Sequence, residues 1–81
     1  MLTDGLEKGD RIQMRNGWYG TINDDKRGNI RNATIEGIVT ETGDVYAHDI
    51  MFYIVEKKRL PIEHTKQQIA ARKLNEDLFG D

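Results

Sequence analysis

Cysteine is absent from the 81-residue sequence, and this absence removes several kinds of chemistry at once. Without a thiol, the chain can form no disulfide, bind no metal through thiolates and use no cysteine as a nucleophile. A chain without cysteine also fits a reducing compartment. We therefore expect the protein to be cytoplasmic.

Long apolar runs are also missing. The longest mostly apolar stretch, IMFYIV at residues 50–55, is far shorter than the roughly 20 residues that a membrane-spanning helix needs. The first ten residues, MLTDGLEKGD, have neither the basic start nor the apolar centre of a signal peptide. We expect no contact with a membrane and one small domain over residues 1–81.

Proline occurs only once, at Pro61, where we expect strands to give way to a helix. Proline lacks the N–H that a central strand donates, so the sheet should end before it. Thr65 and Gln68 have the spacing of a capping box, which predicts a helix over residues 65–79 that begins at about Lys66 and stops at Gly80. The charged segment at residues 56–64 is expected to be a hinge.

The predicted helix has two different faces. One face carries Ala71, Leu74 and Leu78, and we expect it to pack on the sheet because so small a domain needs additional core. Ile69 falls on the opposite side, among cationic residues. Ile69 would therefore remain exposed after docking, which makes it a candidate contact for a partner.

The first 55 residues show the pattern of a sheet. In DRIQM, Ile12 and Met14 alternate with polar residues, which is typical of a half-buried strand. Turn-forming residues follow in NGWYG and in NDDKRGN. A strand is expected in IRNATIEGIVTE, with a bulge at Gly37, and the TGD at residues 42–44 predicts a further turn before VYAHDIMFYIVE. The protein should be mainly β, with about five short antiparallel strands.

The segment KGDRIQMRNGWYGTI, at residues 8–22, resembles the start of a KOW-type SH3-like barrel. The matching positions are Gly9-Asp10, Gly17, Gly20 and Ile22, and GDVYAHDI at residues 43–50 is similar to the closing part of such barrels. The resemblance implies a small SH3-like barrel over residues 7–55 followed by the C-terminal helix. It also implies binding of RNA, DNA or proteins. In its general character the chain is similar to small phage-encoded proteins.

Trp18 and Tyr19 stand in a turn, which is an unusual place for the only tryptophan of the chain. We expect Trp18 to plug one end of the barrel, because the chain has few large side chains for its core. Tyr19 would then point outward as a contact residue.

Basic residues are concentrated in the first half of the chain. The predicted strand projects Arg11 and Arg15 from one face, and the next turn adds Lys26, Arg27 and Arg31. If these turns meet, the cations form a surface that suits phosphate groups. The alternative is a solvated face whose charge is largely neutralised by neighbouring aspartates.

No catalytic or metal-binding motif is found in the sequence. His48 and His64 lack a ligand partner at metal-site spacing, and NDDKRGN has Arg27 where a calcium loop needs an oxygen ligand. A phosphate-binding glycine loop and a nucleophile elbow are also missing. We therefore predict that the protein is not an enzyme and uses no cofactor, metal or small-molecule substrate.

Charge decides between two kinds of partner. The formal net charge is −2, and residues 32–55 contain four acidic residues and no lysine or arginine. Such a segment would repel a phosphate backbone, so we favour a protein-binding adaptor or inhibitor. The alternative is binding of RNA or single-stranded DNA through the basic strand face with Trp18 and Tyr19.

Overall fold

Six antiparallel strands form one sheet, and a helix follows at the C-terminal end. The fold is taken from a computed structural model that describes residues 1–79, without the side chain of Phe79. The expected stop at Gly80 lies outside the described residues. The strands and the helix are β1 (Arg11–Met14), β2 (Tyr19–Ile22), β3 (Ile30–Glu36), β4 (Thr40–Tyr46), β5 (Ile50–Val55), β6 (Lys58–Pro61) and α1 (Lys66–Phe79).

The order of strands across the sheet is β4-β3-β2-β1-β5-β6. The first four strands form a meander, and β5 returns to pair with β1. A 3-10 turn at Ala47–Asp49 makes the connection from β4 to β5. The protein is therefore mainly β, as the sequence predicts, but the sheet stays open with β4 and β6 at its edges.

The apolar core lies against one face of the sheet, which we call the inner face. Alternation in β1 buries Ile12 and Met14, while Arg11 and Gln13 point to the other, outer face. Neighbouring strands add the remaining core positions of the sheet, and Leu6 and Ile62 cover it from outside the strands. The predicted burial pattern of β1 is thus confirmed.

The turn between β3 and β4 lies at residues 37–39, where the sequence predicts a bulge. The Thr42-Gly43-Asp44 segment, predicted to be a turn, lies inside β4. Pairing with β3 overrides its turn-like composition. Asn32 donates a side-chain hydrogen bond to Asp44 over 3.2 Å, and the hydroxyls of Thr34 and Thr42 are 2.8 Å apart.

The segment predicted to be a hinge forms the turn and the second strand of the β5–β6 hairpin. Glu56 and Lys57 make a two-residue turn with φ angles of 50° and 66°, and β6 follows directly. Turns of this kind usually use asparagine or glycine, so a Glu-Lys pair gives no turn signal in the sequence. Pro61 ends β6, which lies at the edge of the sheet. Proline can stand there because the N–H that it lacks is not needed by a neighbouring strand.

The helix begins at Lys66 with the predicted capping box. The Thr65 N–H donates to the Gln68 side chain over 3.0 Å, and the Gln68 N–H donates to the Thr65 hydroxyl over 3.1 Å. Within the described residues, no helix is long and apolar enough to cross a bilayer.

The helix docks through its polar side, not through the expected apolar stripe. Gln68 is buried and donates to the hydroxyl of Thr3 over 3.2 Å, while Asn75 contacts Nε2 of His48 at 3.2 Å. Leu74 and Leu78 remain exposed. The reason is that buried Thr3 and His48 need hydrogen-bonding partners, and the polar side of the helix supplies them.

Candidate functional site

A groove of about 740 Å³ opens on the inner face of the sheet, between β4 and the turn after β1. The groove exists because the sheet does not close. Its apolar floor is formed by Met14, Trp18, Ile35 and Val45. We call this feature the acidic groove, because Glu41, Asp44 and Asp49 also line it.

Trp18 reaches the acidic groove from the turn between β1 and β2. In this turn the Gly17 N–H donates to the Met14 carbonyl over 2.9 Å, and Gly17 has a φ of 92°, which favours glycine. The indole lies directly over Gly37, so that a Cβ added there would overlap its six-membered ring. Trp18 is 43% exposed, so it walls an open groove and does not plug a barrel end.

The tip of the β3–β4 hairpin is strongly apolar. Ile38 is 94% exposed and Val39 is 62% exposed, and both follow the Gly37 on which Trp18 lies. Single exposed apolar residues are ordinary, but two consecutive ones that follow the glycine covered by the partly exposed Trp18 suggest a contact surface. We call Trp18, Ile38 and Val39 the apolar tip.

The charge of the acidic groove is negative. Its one cation, Arg15, donates to Asp49 over 3.0 Å and to Glu76 of the helix over 2.7 Å. Neither Glu41 nor Asp44 forms a salt bridge with any described residue. Among the described residues, Asp49 is thus the one carboxylate of the groove that pairs with a cation.

A second surface lies on the outer face of β1, β2, β5 and the β5–β6 hairpin. The guanidinium of Arg59 lies 4.4 Å from the ring centre of Phe52, and that of Arg11 lies 5.8 Å from the ring centre of Tyr19. Lys57 adds a further cation beside them. Arg11 also pairs with Glu36 over 3.0 Å, which removes part of the positive charge. We call these cations and rings the basic patch.

Arg31, expected on a basic surface, is fully buried. Its Nε donates to Asp24 over 2.8 Å, and its other nitrogens donate to the carbonyls of Thr3, Leu6 and Asp24. These contacts tie the N-terminal segment to β3. Burial of an unpaired guanidinium would cost free energy. The guanidinium of Arg31 can be buried because a carboxylate and three carbonyls accept its hydrogen bonds.

Asp24 shows the electrostatic consequence of this arrangement. Burial by itself raises the pKa of its carboxyl, but hydrogen bonds from the Asn32 N–H, the Arg31 guanidinium and the Lys26 N–H outweigh burial, together with the charge of Arg31. The net result is a pKa below the ordinary value of 3.8. Asp24 is therefore a structural carboxylate.

The structure does not bring the predicted basic residues together. Arg11 lies on the outer face, Arg15 lies between Asp49 and the helix, and Arg31 is internal. Lys26 and Arg27 are exposed in the loop before β3. Of the other expected contacts, Tyr19 is exposed in the basic patch, and Ile69 is exposed on the helix.

Both histidines hold structural positions. His48 is buried, stacks on the ring of Tyr46 at 5.0 Å and has Asp49 and Asn75 at its two nitrogens. His64 is 2.8 Å from the carbonyl oxygen of Ile50. Over residues 1–79, no group of three potential metal ligands comes together.

The sequence pattern does not indicate several of the candidate contact residues. It places Ile38 and Val39 in a strand with a bulge at Gly37, and it does not indicate that Lys57, Arg59 and Phe52 share a surface. The sequence does contain a turn signal for Ile38 and Val39, because Gly37 precedes these two aliphatic residues and a polar strand follows them. The second set depends on a hairpin turn that the composition does not show.

Comparison with known proteins gives no relative: no family model, no curated protein and no solved structure matches the chain.

Proposed function

We propose that the protein is a non-catalytic binding module that holds a segment of a partner protein in the acidic groove, acting as an adaptor or an inhibitor. The observation that carries the proposal is an apolar floor and an acidic rim next to the exposed apolar tip. Large aromatic anchors beside apolar pockets supply much of the energy of protein interfaces. A groove with such walls suits an apolar side chain flanked by basic ones.

The proposal includes the SH3-like fold and a cytoplasmic location. A four-stranded meander with β5 returning to β1 after a 3-10 turn supports the SH3-like assignment. The absence of cysteine supports the location.

A protein partner is favoured over nucleic acid because of where the charges lie. Glu41 on the inner face would repel phosphates from the acidic groove, and Asp44 on the outer face of the same strand adds to the negative potential of that edge. Three arginines of the expected basic surface, Arg11, Arg15 and Arg31, are paired with carboxylates. The remaining exposed cations of that surface lie in the loop before β3, away from Trp18.

Selection from a displayed library of random dodecapeptides tests the proposal. We expect enrichment of peptides that combine large apolar residues with lysine or arginine. Trp18→Ala should weaken the binding of the selected peptides by about tenfold or more, because an aromatic anchor is lost. Ile69→Ala, which changes an exposed apolar residue on the helix, is the matched control and should leave binding unchanged. Failure to enrich any peptide, or equal binding by Trp18→Ala, would contradict the proposal.

The basic patch favours a second candidate function, binding of single-stranded nucleic acid. Tyr19 and Phe52 offer rings for base stacking, and Arg11, Lys57 and Arg59 offer contacts to phosphates. This candidate predicts that a mixed-sequence oligonucleotide binds at low salt and is released as salt rises, because phosphate contacts are screened. Arg59→Ala should weaken that binding, and Arg27→Ala is the control.

A further inference from the structure

The two edges of the sheet differ in how they are protected. The β6 edge is short and carries Lys58, Arg59 and Pro61, all of which discourage pairing with another chain. The β4 edge is seven residues long and contains neither proline nor a basic residue. It therefore remains able to accept a further strand.

The main-chain groups that face this open edge follow from the bonding pattern at the two ends of the hairpin. The Ala47 N–H donates to the Asn29 carbonyl, and the Gly37 N–H donates to the Val39 carbonyl. Bonded and unbonded pairs alternate along an antiparallel ladder. The peptide groups of Thr40, Thr42 and Asp44 thus point away from β3, toward the open edge.

The acidic groove begins at the same edge. Glu41 and Val45 lie on the inner face of β4 and line the groove, and Gly43 between them leaves open space above the strand. A strand added beside β4 would place every second side chain on this inner face. An apolar side chain there would meet the groove floor, with Trp18 at its far side.

Charge determines which kind of strand can be added. Glu41 and Asp44 lie on β4, and neither has a cationic partner among residues 1–79. Pairing β4 with β4 of a second copy would bring four carboxylates onto neighbouring strands, which is repulsive. A basic strand would be attracted instead.

We propose that an extended, basic segment of a partner protein pairs with β4 as a seventh strand and places its apolar side chains in the acidic groove. This inference rests on the proposed function, because it specifies how the groove is occupied. Main-chain hydrogen bonds along the edge provide affinity, the groove selects the apolar side chains, and Asp44 on the opposite, outer face of β4 favours the basic ones.

Two synthetic peptides of about ten residues test the inference, the length being set by the strand and its flanks. One alternates arginine with valine, and its control alternates glutamate with valine. We expect the arginine peptide alone to bind and to shift the indole signal of Trp18. Exchange of the Thr42 and Asp44 amides with deuterium should slow by about tenfold or more, because new hydrogen bonds protect them.

A proline substitution in β4 tests strand pairing at the edge separately from contact with the groove. Thr42→Pro removes a donor that β3 does not use, so the sheet should remain folded. Thr42→Pro should weaken binding of the arginine peptide by about tenfold. Thr42→Ala, which keeps the N–H, should change that binding by less than about threefold. The same peptide methylated at the backbone nitrogens that face β4 gives an independent test on the wild-type protein. It should not bind, whereas methylation at the alternate nitrogens should be tolerated.

The outcomes distinguish this inference from the proposed function. Binding that shifts Trp18 but leaves the Thr42 and Asp44 amides unprotected, and that tolerates both methylation patterns, overturns strand addition and leaves the groove as a binding site. Binding of the glutamate peptide as well as the arginine peptide overturns the choice of a basic partner. If neither these peptides nor the dodecapeptide library binds, the proposed function fails together with the inference.

Discussion

At the scale of single residues, the ion pair of buried Arg31 with half-buried Asp24 shows how a charge can mislead sequence interpretation. Arginine is almost never buried without partners, so the place of Arg31 beside a polar turn predicted exposure. In the fold, Arg31 is surrounded by a carboxylate and three carbonyls that no local pattern brings together. The same residue that was expected to bind phosphate thus holds the N-terminal segment on β3.

Removal of this arginine should destabilise the protein severely. Arg31→Ala removes the cation that pairs with the Asp24 carboxylate and the donors that three carbonyls accept from, and we expect a loss of about 3–5 kcal/mol in the free energy of unfolding. Urea denaturation followed by circular dichroism measures the loss. Arg27→Ala, a change of the same kind at an exposed loop position, should alter stability by less than about 0.5 kcal/mol. Equal effects of the two substitutions would refute the structural role of Arg31.

The lowered pKa of Asp24 predicts how stability depends on pH. A carboxyl whose pKa is lower in the folded state than in the unfolded state stabilises the fold above the unfolded value of about 3.9. That stabilisation is lost as the pH falls from there through the lower, folded pKa. In urea titrations from about pH 6 to about pH 2, the advantage of wild type over Asp24→Asn should therefore shrink below about pH 4. An advantage that stays constant through this range would contradict the lowered pKa.

At the scale of elements, the hairpins determine which residues reach the candidate surfaces. The β3–β4 turn projects Ile38 and Val39 beside Trp18, and the β5–β6 turn places Lys57 near Arg11. Both turns depend on backbone conformations that the composition only partly shows. The structure therefore differs most from the sequence prediction at the turns, while the strand alternation of β1 and the helix cap agree with it.

The β5–β6 turn should accept residues that suit it better. Glu56 and Lys57 are both left-handed, a conformation that asparagine and glycine adopt at lower cost. We expect the double substitution Glu56→Asn and Lys57→Gly to stabilise the protein by about 1 kcal/mol. Thermal unfolding measures the change, and a loss of stability would show that the turn has another conformation.

The contact of Trp18 with Gly37 should be sensitive to a single methyl group. Gly37→Ala overlaps the indole ring, so we expect the ring to move, the tryptophan fluorescence to change and stability to fall by about 1–3 kcal/mol. Gly43→Ala is the matched control on the next strand, because open space surrounds that position. A normal fluorescence spectrum for Gly37→Ala would mean that the indole does not lie over this glycine.

At the scale of the whole molecule, an open sheet with one unprotected edge explains why the protein presents a groove at all. The sequence predicted a mainly β fold and a capped C-terminal helix, because periodicity and capping are local signals. It did not predict the sixth strand, the polar docking of the helix or the burial of Arg31, since each depends on contacts between distant residues. The candidate groove was missed for the same reason, although Trp18 itself was recognised as a contact or plug.

The central claim is that the acidic groove, and not the basic patch, is the binding site, and one NMR experiment tests it most directly. Labelled protein is titrated with the arginine–valine peptide and, separately, with a mixed-sequence single-stranded oligonucleotide at moderate salt. We predict that the peptide shifts the Trp18 indole and the amides of β4 and the apolar tip, and that the oligonucleotide shifts none of them. Shifts confined to Tyr19, Phe52 and Arg59 on addition of the oligonucleotide, with no response to the peptide, would contradict the claim.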